Sequence, residues 1–506
     1  MRKGLIIIAG LLSASAILAA EKEKKDFNVL LIIADDLNCN SVGAYGCEIQ
    51  NITPNIDRLA HEGIQFMNAH VASAVSQPSR GALATGRYPH CSGIEGFYHA
   101  EKPQVEIVEV LKEAGYYCGI VGKLEHSSPT FTTPWDYRKD FLDLGMGRDA
   151  RIYEREVGVM IENAKKEGKP FYLMVNSHDP HRPFYGSIKE QRMFGKKEIP
   201  QPSYVYTSDE VIVPGFLPDI AGVRDEIVQY FNSVKRLDDT VGAVLRALDD
   251  SGERQNTIVV FLSDNGMSEP FSKTNCYYQS TRTPLIVYAP EQFVSKVVDT
   301  EHMISTVDFF PTIVDLLELS VDADFDGISF KPILEGKQQL HRAHVFTEFQ
   351  STSVQKTFIM RAVQGKRFAY IFNPWAIDST IFQNEARGGM AFQAMEDIAI
   401  LDKRIKDRVM MHDYRCIEEF YDLEKDPNSL VNLISHPAYK DTILHYRTLL
   451  KEHMKITDDP AMKALENKDD KDFLRLFNKD RQEYVRQRHK PQIRNRPHKM
   501  TQRSKR

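Results

Sequence analysis

The 506-residue chain has no C-x-x-C pair among its six cysteines, no internal repeat, and no uninterrupted apolar run of membrane-spanning length after its N-terminal segment. The first absence removes the common zinc frameworks. Cys39 and Cys47 are the one close pair, and a bridge between them and buried free thiols are equally open readings. The second absence removes solenoid and propeller architectures. The third removes a membrane-embedded core. Residues 1–20 carry Arg2 and Lys3, an apolar run from Leu5 too short to span a bilayer, and small residues ending at Ala19-Ala20, which is the pattern of a secretory signal. No cysteine follows to take a lipid anchor. A soluble product of the export machinery is expected, periplasmic or secreted.

What is present is a large globular chain. Hydrophobic residues make up 42% of it, enough to bury extensive cores in about two to four domains. The formal charge of −5 is uneven: residues 481–506 hold ten Lys or Arg and one Glu, so the body is acidic and the end basic. Such an end reads as a solvated tail, with a grip on an acidic polysaccharide or a membrane surface as the alternative. Nucleic acid is not an expected partner.

Four apolar, strand-like runs end in chemistry-bearing residues. Residues 28–34 lead into Asp35-Asp36, residues 117–121 into Gly122-Lys123-Leu124-Glu125-His126, residues 171–175 toward His178-Asp179-Pro180-His181, and residues 257–262 into Ser263-Asp264-Asn265. Amphipathic segments at 54–62, 105–114, 223–249 and 308–319 separate the strand-like runs. This alternation predicts an α/β fold, with a large, mainly parallel sheet flanked by helices. Ligands of such sheets bind beyond the carboxyl ends of the strands. Near residue 343 the pattern changes to short strands at 345–349, 358–363 and 367–372, the last two joined as a hairpin, followed by a closing helix at 442–453. The expected organisation is a signal at 1–20, a catalytic α/β domain at 26–342, an α+β subdomain with an antiparallel sheet at 343–460, and a helical, basic, partly disordered tail at 461–506.

Asp35, Asp36, Asp264 and Asn265 form an all-oxygen donor set. Neighbouring carboxylates at a buried strand end are costly unless a cation compensates them. The donor set suits Ca²⁺, with Mg²⁺ second. Arg80, Lys123, His126, His178, His181 and Lys273 add positive charge and proton-transfer capacity, although any one of them alone could be structural.

The segment Ser76-Gln77-Pro78-Ser79-Arg80-Gly81-Ala82-Leu83-Ala84-Thr85-Gly86-Arg87 resembles the signature of the type I sulfatases, and Pro78, Gly81 and Gly86 suggest a tight loop feeding a helix start. The resemblance covers roughly residues 26–460. It is strongest to the branch containing N-sulfoglucosamine sulfohydrolases, through His178-Asp179-Pro180-His181-Arg182, residues 211–248 and residues 263–275, and then to iduronate-2-sulfatases. It implies an alkaline-phosphatase-like fold and a sulfuric ester hydrolase or sulfamidase acting on sulfated oligo- or polysaccharides, heparan sulfate first. It further implies Ser76 as precursor of formylglycine (3-oxoalanine) and as a metal ligand beside Asp35, Asp36, Asp264 and Asn265. By the same likeness Arg80 and Lys123 steady the formylglycine and sulfate, His126, His181 and Lys273 contact sulfate or donate the proton, and His178 is an adjacent substrate candidate. Serine in place of cysteine at position 76 implies a serine-type radical-SAM maturing enzyme as partner. Lys273 stands where sulfamidases carry Arg, and the two are not equivalent at a bidentate sulfate contact. A phosphoesterase using unmodified Ser76 and a silent glycan-binding protein remain the rival readings. Loops at 93–99, 127–137 and 373–389 are expected to shape the substrate pocket.

Overall fold

In the computed structural model, which describes residues 26–291, 293–338 and 342–494, an eight-stranded sheet forms the centre of the molecule. The expected signal at 1–20 lies outside the described residues. In chain order the strands are β1 (Asn28–Asp35), β2 (Ile64–His70), β3 (Tyr117–Val121), β4 (Tyr137–Lys139), β5 (Phe171–Pro180), β6 (Thr257–Ser263), β7 (Leu285–Tyr288) and β8 (Val297–Ser305). Their spatial order is β4-β3-β5-β1-β6-β7-β2-β8. All neighbours run parallel except β7, which is antiparallel to both β6 and β2. The sheet is therefore mixed and mainly parallel, as the alternation of the sequence predicts.

The unbroken apolar runs follow from burial on both faces. In β1, Leu30, Ile32 and Ala34 enter one core with the long helix Ala221–Asp250, while Val29, Leu31 and Ile33 enter a second core with the helix Phe309–Leu316. β1 lies between β5 and β6, so the C-terminal ends of three central strands meet at one place.

A four-stranded antiparallel sheet follows: β9 (Val345–Ser351), β10 (Thr357–Gln364), β11 (Phe368–Phe372) and β12 (Glu418–Asp422), in the order β12-β11-β10-β9. β10 uses its two faces differently. Met360 and Ala362 join the core of the large sheet, whereas Ile359 and Val363 pack with Ile443, Tyr446, Leu450 and Met454 of the helix Lys440–Ile456. The small sheet is thus clamped between its closing helix and the large domain. Of the segment expected as a tail, Met462–Glu466 and Lys471–Arg494 are helical, and the second of these lies against the large domain through Arg481 and Arg488. Among the described residues no helix is long and apolar enough to cross a membrane, and all six cysteines are free thiols.

Candidate functional site

Asp35 ends β1, and Asp36 has φ +66°, a left-handed conformation that is uncommon outside glycine. On a continuing strand the two side chains would point to opposite faces. The turn at Asp36 instead brings both carboxylates to one centre, where Asp264 arrives from the end of β6. Oxygen atoms of Asp35, Asp36 and Asp264 all lie within 4.8 Å of one another, and each residue is fully buried. Asp36 N–H donates to Asp264 Oδ1 at 3.1 Å, and Asn265 Nδ2 donates to Asp36 Oδ1 at 2.7 Å. Asn265 Oδ1 is buried with no hydrogen-bond partner. A buried acceptor left unpaired is costly, and a hard cation is the partner its surroundings fit. Burial, ahead of neighbouring charges, pushes Asp36 up to about 6 and Asp264 up to about 7. In Asp35 burial acts in the same direction but is outweighed, first by Lys123, so its carboxyl is held well below the usual range.

Ser76 is the first residue of the helix Ser76–Thr85, and its Oγ donates to Asp35 Oδ1 at 3.3 Å. This corrects the expected loop, because the motif itself is the helix. Pro78 sits in the first turn, where its missing N–H breaks no helical bond. Gly81 is interior because a Cβ there would crowd Ile94 at 3.1 Å, and Gly86, at φ +65°, ends the helix. Arg80 lies one turn on from Ser76. Its guanidinium reaches Asp264 Oδ2 at 3.0 and 2.8 Å, Asn176 Oδ1 at 2.5 Å and Ser127 Oγ at 3.4 Å.

Two lysines flank the carboxylates. Lys123, itself left-handed at φ +52° just after β3, pairs with Asp35 Oδ2. Lys273 lies 2.9 Å from both oxygens of Asp36. His181 Nε2 is 3.8 Å from Asp36 Oδ2. His126 follows Lys123 in the turn Leu124–Ser127, its Nδ1 buried and unpartnered and its ring edge-on to Phe97. Burial first, then Lys123 and Arg80, push His126 down to about 3. His181 is lowered by burial and then by Lys273. His178 is brought to the same strand end but turned away: its Nδ1 is 3.5 Å from Tyr153 OH and its ring lies against Phe141.

The structure therefore gathers Asp35, Asp36, Ser76, Arg80, Lys123, His126, His181, Asp264, Asn265 and Lys273 around one point. Sequence reasoning missed Asn176, a polar residue inside a buried strand, which orients Arg80. It also missed Glu385, within the 373–389 loop, whose Oε1 lies 3.0 Å from Lys273 Nζ. His90, Glu348 and Asp459 form a second cluster with ligand atoms within 4.8 Å of one another. Arg361 pairs with both of those carboxylates, so that cluster is already balanced by protein cations.

Three carboxylates facing one arginine and two lysines, beside a hydroxyl at a helix N-terminus, can hold a divalent cation and an anionic group together. The sulfatase model matches residues 27–319, and the model for the C-terminal part of N-sulphoglucosamine sulphohydrolase matches residues 266–380. The chain is 30% identical over 475 residues to N-sulphoglucosamine sulphohydrolase of Homo sapiens, covering 86% of this chain and 91% of that protein. It is 27% identical over 489 residues to Delta 4,5-hexuronate-2-O-sulfatase of Bacteroides thetaiotaomicron, covering 87% and 91%. A solved structure described as being in complex with its substrate D-glucosamine-2-N,6-O-disulfate matches with a TM-score of 0.64 at 20% identity, over 86% of this chain and 99% of that one. That last likeness speaks for the fold, which is of the alkaline-phosphatase-like kind. With one family model spanning more than half of its length, this chain belongs to the sulfatase family, enzymes that hydrolyse sulfuric esters or sulfamates.

Proposed function

We propose that the protein is an exported sulfatase that removes sulfate groups from sulfated glycans, with N-sulfated glucosamine of heparin or heparan sulfate as its first substrate class. Likeness to a sulphohydrolase of N-sulphoglucosamine along nearly its whole length supports this choice. O-sulfated sugars of other glycosaminoglycans or of algal polysaccharides are the second reading. It is favoured by the 2-O-sulfatase relative and by Lys273, a point charge where sulfamidases have an arginine fork. The observation that carries the proposal is Ser76 Oγ, 3.3 Å from Asp35 at the head of a buried helix, within the ring of carboxylates and cations.

Oxidised to formylglycine by a serine-type radical-SAM enzyme and then hydrated, position 76 would supply an oxygen nucleophile stronger than a plain serine hydroxyl. Asp35, Asp36, Asp264, Asn265 and position 76 would hold Ca²⁺, or less favourably Mg²⁺, which supplies Lewis acidity toward a sulfate oxygen.

The chain's own residues do the rest. Arg80 ties Asp264 to Asn176, fixing one side of the carboxylate ring. Lys123 and Lys273 balance Asp35 and Asp36 and provide fixed positive charge for an incoming sulfate group and for the charge that develops as it transfers. Burial and the neighbouring Lys123 lower the His126 pKa, and Lys273 acts in the same direction on the partly exposed His181. An anionic sulfate offsets those cations, so that an imidazole can carry the proton that the departing oxygen or nitrogen requires.

The test uses protein co-expressed with a serine-type maturase and offered N-, 2-O- and 6-O-sulfated disaccharides, with free sulfate as the readout. Release from the N-sulfated sugar supports the first substrate class, and release only from O-sulfated sugars selects the second. Turnover of a phosphate monoester with position 76 still serine would replace both by the phosphoesterase reading.

A further inference from the structure

The helix Lys471–Arg494 lies beyond both matched family segments, yet it grips the 93–101 loop at several points. Arg481 Nη2 donates to both carboxylate oxygens of Glu95, at 2.9 and 3.0 Å. Arg488, only 4% exposed, donates to the carbonyls of Gly93 and His99, each at 2.9 Å. Its guanidinium also lies over the Tyr98 ring at 4.7 Å and pairs with Glu101 at 2.5 Å. Burying a guanidinium is costly unless its donors are filled. Here the loop's own carbonyls fill two of them, so helix and loop depend on each other.

The same loop reaches the site from its other side. Phe97 sets its edge against His126, with ring centroids 5.4 Å apart. His99 Nδ1 lies 2.9 Å from the carbonyl oxygen of Ser128, two residues beyond His126. The loop backbone packs closely against the end of β9 here, since a Cβ at Gly96 would come within 2.7 Å of Ser351 Oγ.

We propose that this C-terminal helix is a positioning element of the active site. Arg481 and Arg488 set the 93–101 loop, and through Phe97 and His99 that loop sets His126 and the segment that follows it. The inference rests on the place of His126 in the proposed reaction.

The experiment uses the full-length, matured enzyme in four variants. Arg488→Ala and Phe97→Ala are expected to lower kcat/KM by about tenfold to a hundredfold, as a misplaced catalytic group does, chiefly through kcat and with a displaced pH profile. Arg488→Lys should recover only part of the loss, because an ammonium cannot hold the two carbonyls with one nitrogen and Glu101 with another, as the guanidinium does through Nη2 and Nη1. Arg486→Ala is the control, because Arg486 is exposed and pairs with Glu483 of the same helix; it should keep the wild-type rate and profile.

Hydrogen exchange supplies a readout independent of turnover. Faster exchange in residues 93–101 and 124–128 of Arg488→Ala is the expected result. Unchanged exchange in both segments, or a lowered Tm with kcat/KM and pH profile intact, would overturn the proposal. If wild-type enzyme released no sulfate from any sugar, the functional reading would fall, and the exchange data alone would still decide whether the helix sets the His126 segment.

Discussion

Lys273 joins the two halves of the protein. Its ammonium sits 2.9 Å from Asp36, at the end of β1, and 3.0 Å from Glu385 Oε1, in the turn Glu385–Gly388 contributed by the C-terminal region. Burial works to lower the Lys273 pKa, but Asp36 and Glu385 outweigh it and hold the amine protonated. In the proposed reaction Glu385 and an incoming sulfate would compete for this one cation.

Lys273→Ala is accordingly expected to lower kcat/KM about 100-fold. Glu385→Gln should retain kcat and tighten inhibition by inorganic sulfate by about threefold or more. Steady-state kinetics with sulfate as inhibitor measures both. An equal loss of kcat in the two variants would mean that Glu385 serves to hold Lys273 in place.

Ser76→Ala removes the side chain that donates to Asp35 but leaves the helix that carries it intact. The variant should fold with a Tm close to wild type and release no sulfate under conditions in which wild type turns over. Sulfate release at a substantial fraction of the wild-type rate would remove position 76 from the chemistry.

Asp264→Ala opens the ring of carboxylates and strips Arg80 of its shortest ion pair. Bound calcium, measured by elemental analysis after dialysis, and activity should fall together. Calcium content equal to wild type would refute the proposed ligand set. In the wild-type enzyme a chelator should abolish turnover, and added Ca²⁺ should restore it.

Much of this site was legible because the strand ends announce it. The run ending in Asp35-Asp36 and the run ending in Ser263-Asp264-Asn265 are adjacent strands, and an apolar stretch that breaks into carboxylates is a local signal. The helix expected at 54–62 is found at Pro54–Glu62, where proline at its start and the spacing of Ile56, Leu59 and Ala60 make the pattern self-contained. The 76–87 segment misled because Pro78, Gly81 and Gly86 look like turn formers. Gly81 is helical for a tertiary reason, the approach of Ile94, which no local pattern records. Contacts such as Lys273–Glu385 and Arg488–Gly93 join residues far apart in the chain, and nothing in the spacing of either partner marks them.

The knot of His90, Glu348, Arg361 and Asp459 is a structural counterpart to the site and gives a pH signature. Burial would lower the His90 pKa, but Glu348 raises it well above 6.5. Burial would raise Asp459, but Arg361 and His90 bring it down from 3.8 to about 2. The His90 share of stability is complete below 6.5 and fades as pH rises through its raised value. The Asp459 share is complete above 3.8 and fades as pH falls through about 2. Asp459→Asn should therefore destabilise the protein by about 3–5 kcal/mol between pH of about 5 and 6.5, with the gap to wild type closing as the medium becomes more acid. Thermal unfolding from pH of about 6.5 down to about 2 measures it, and a gap that stays constant below the ordinary carboxyl value of 3.8 would assign the loss to packing.

The central claim is that an oxidised side chain at position 76, held beside Asp35, attacks sulfur. The mass of the peptide carrying position 76, taken from enzyme that is releasing sulfate, tests it most directly. The account predicts a peptide lighter than the serine form by two hydrogen atoms. An intact serine in fully active enzyme would contradict it.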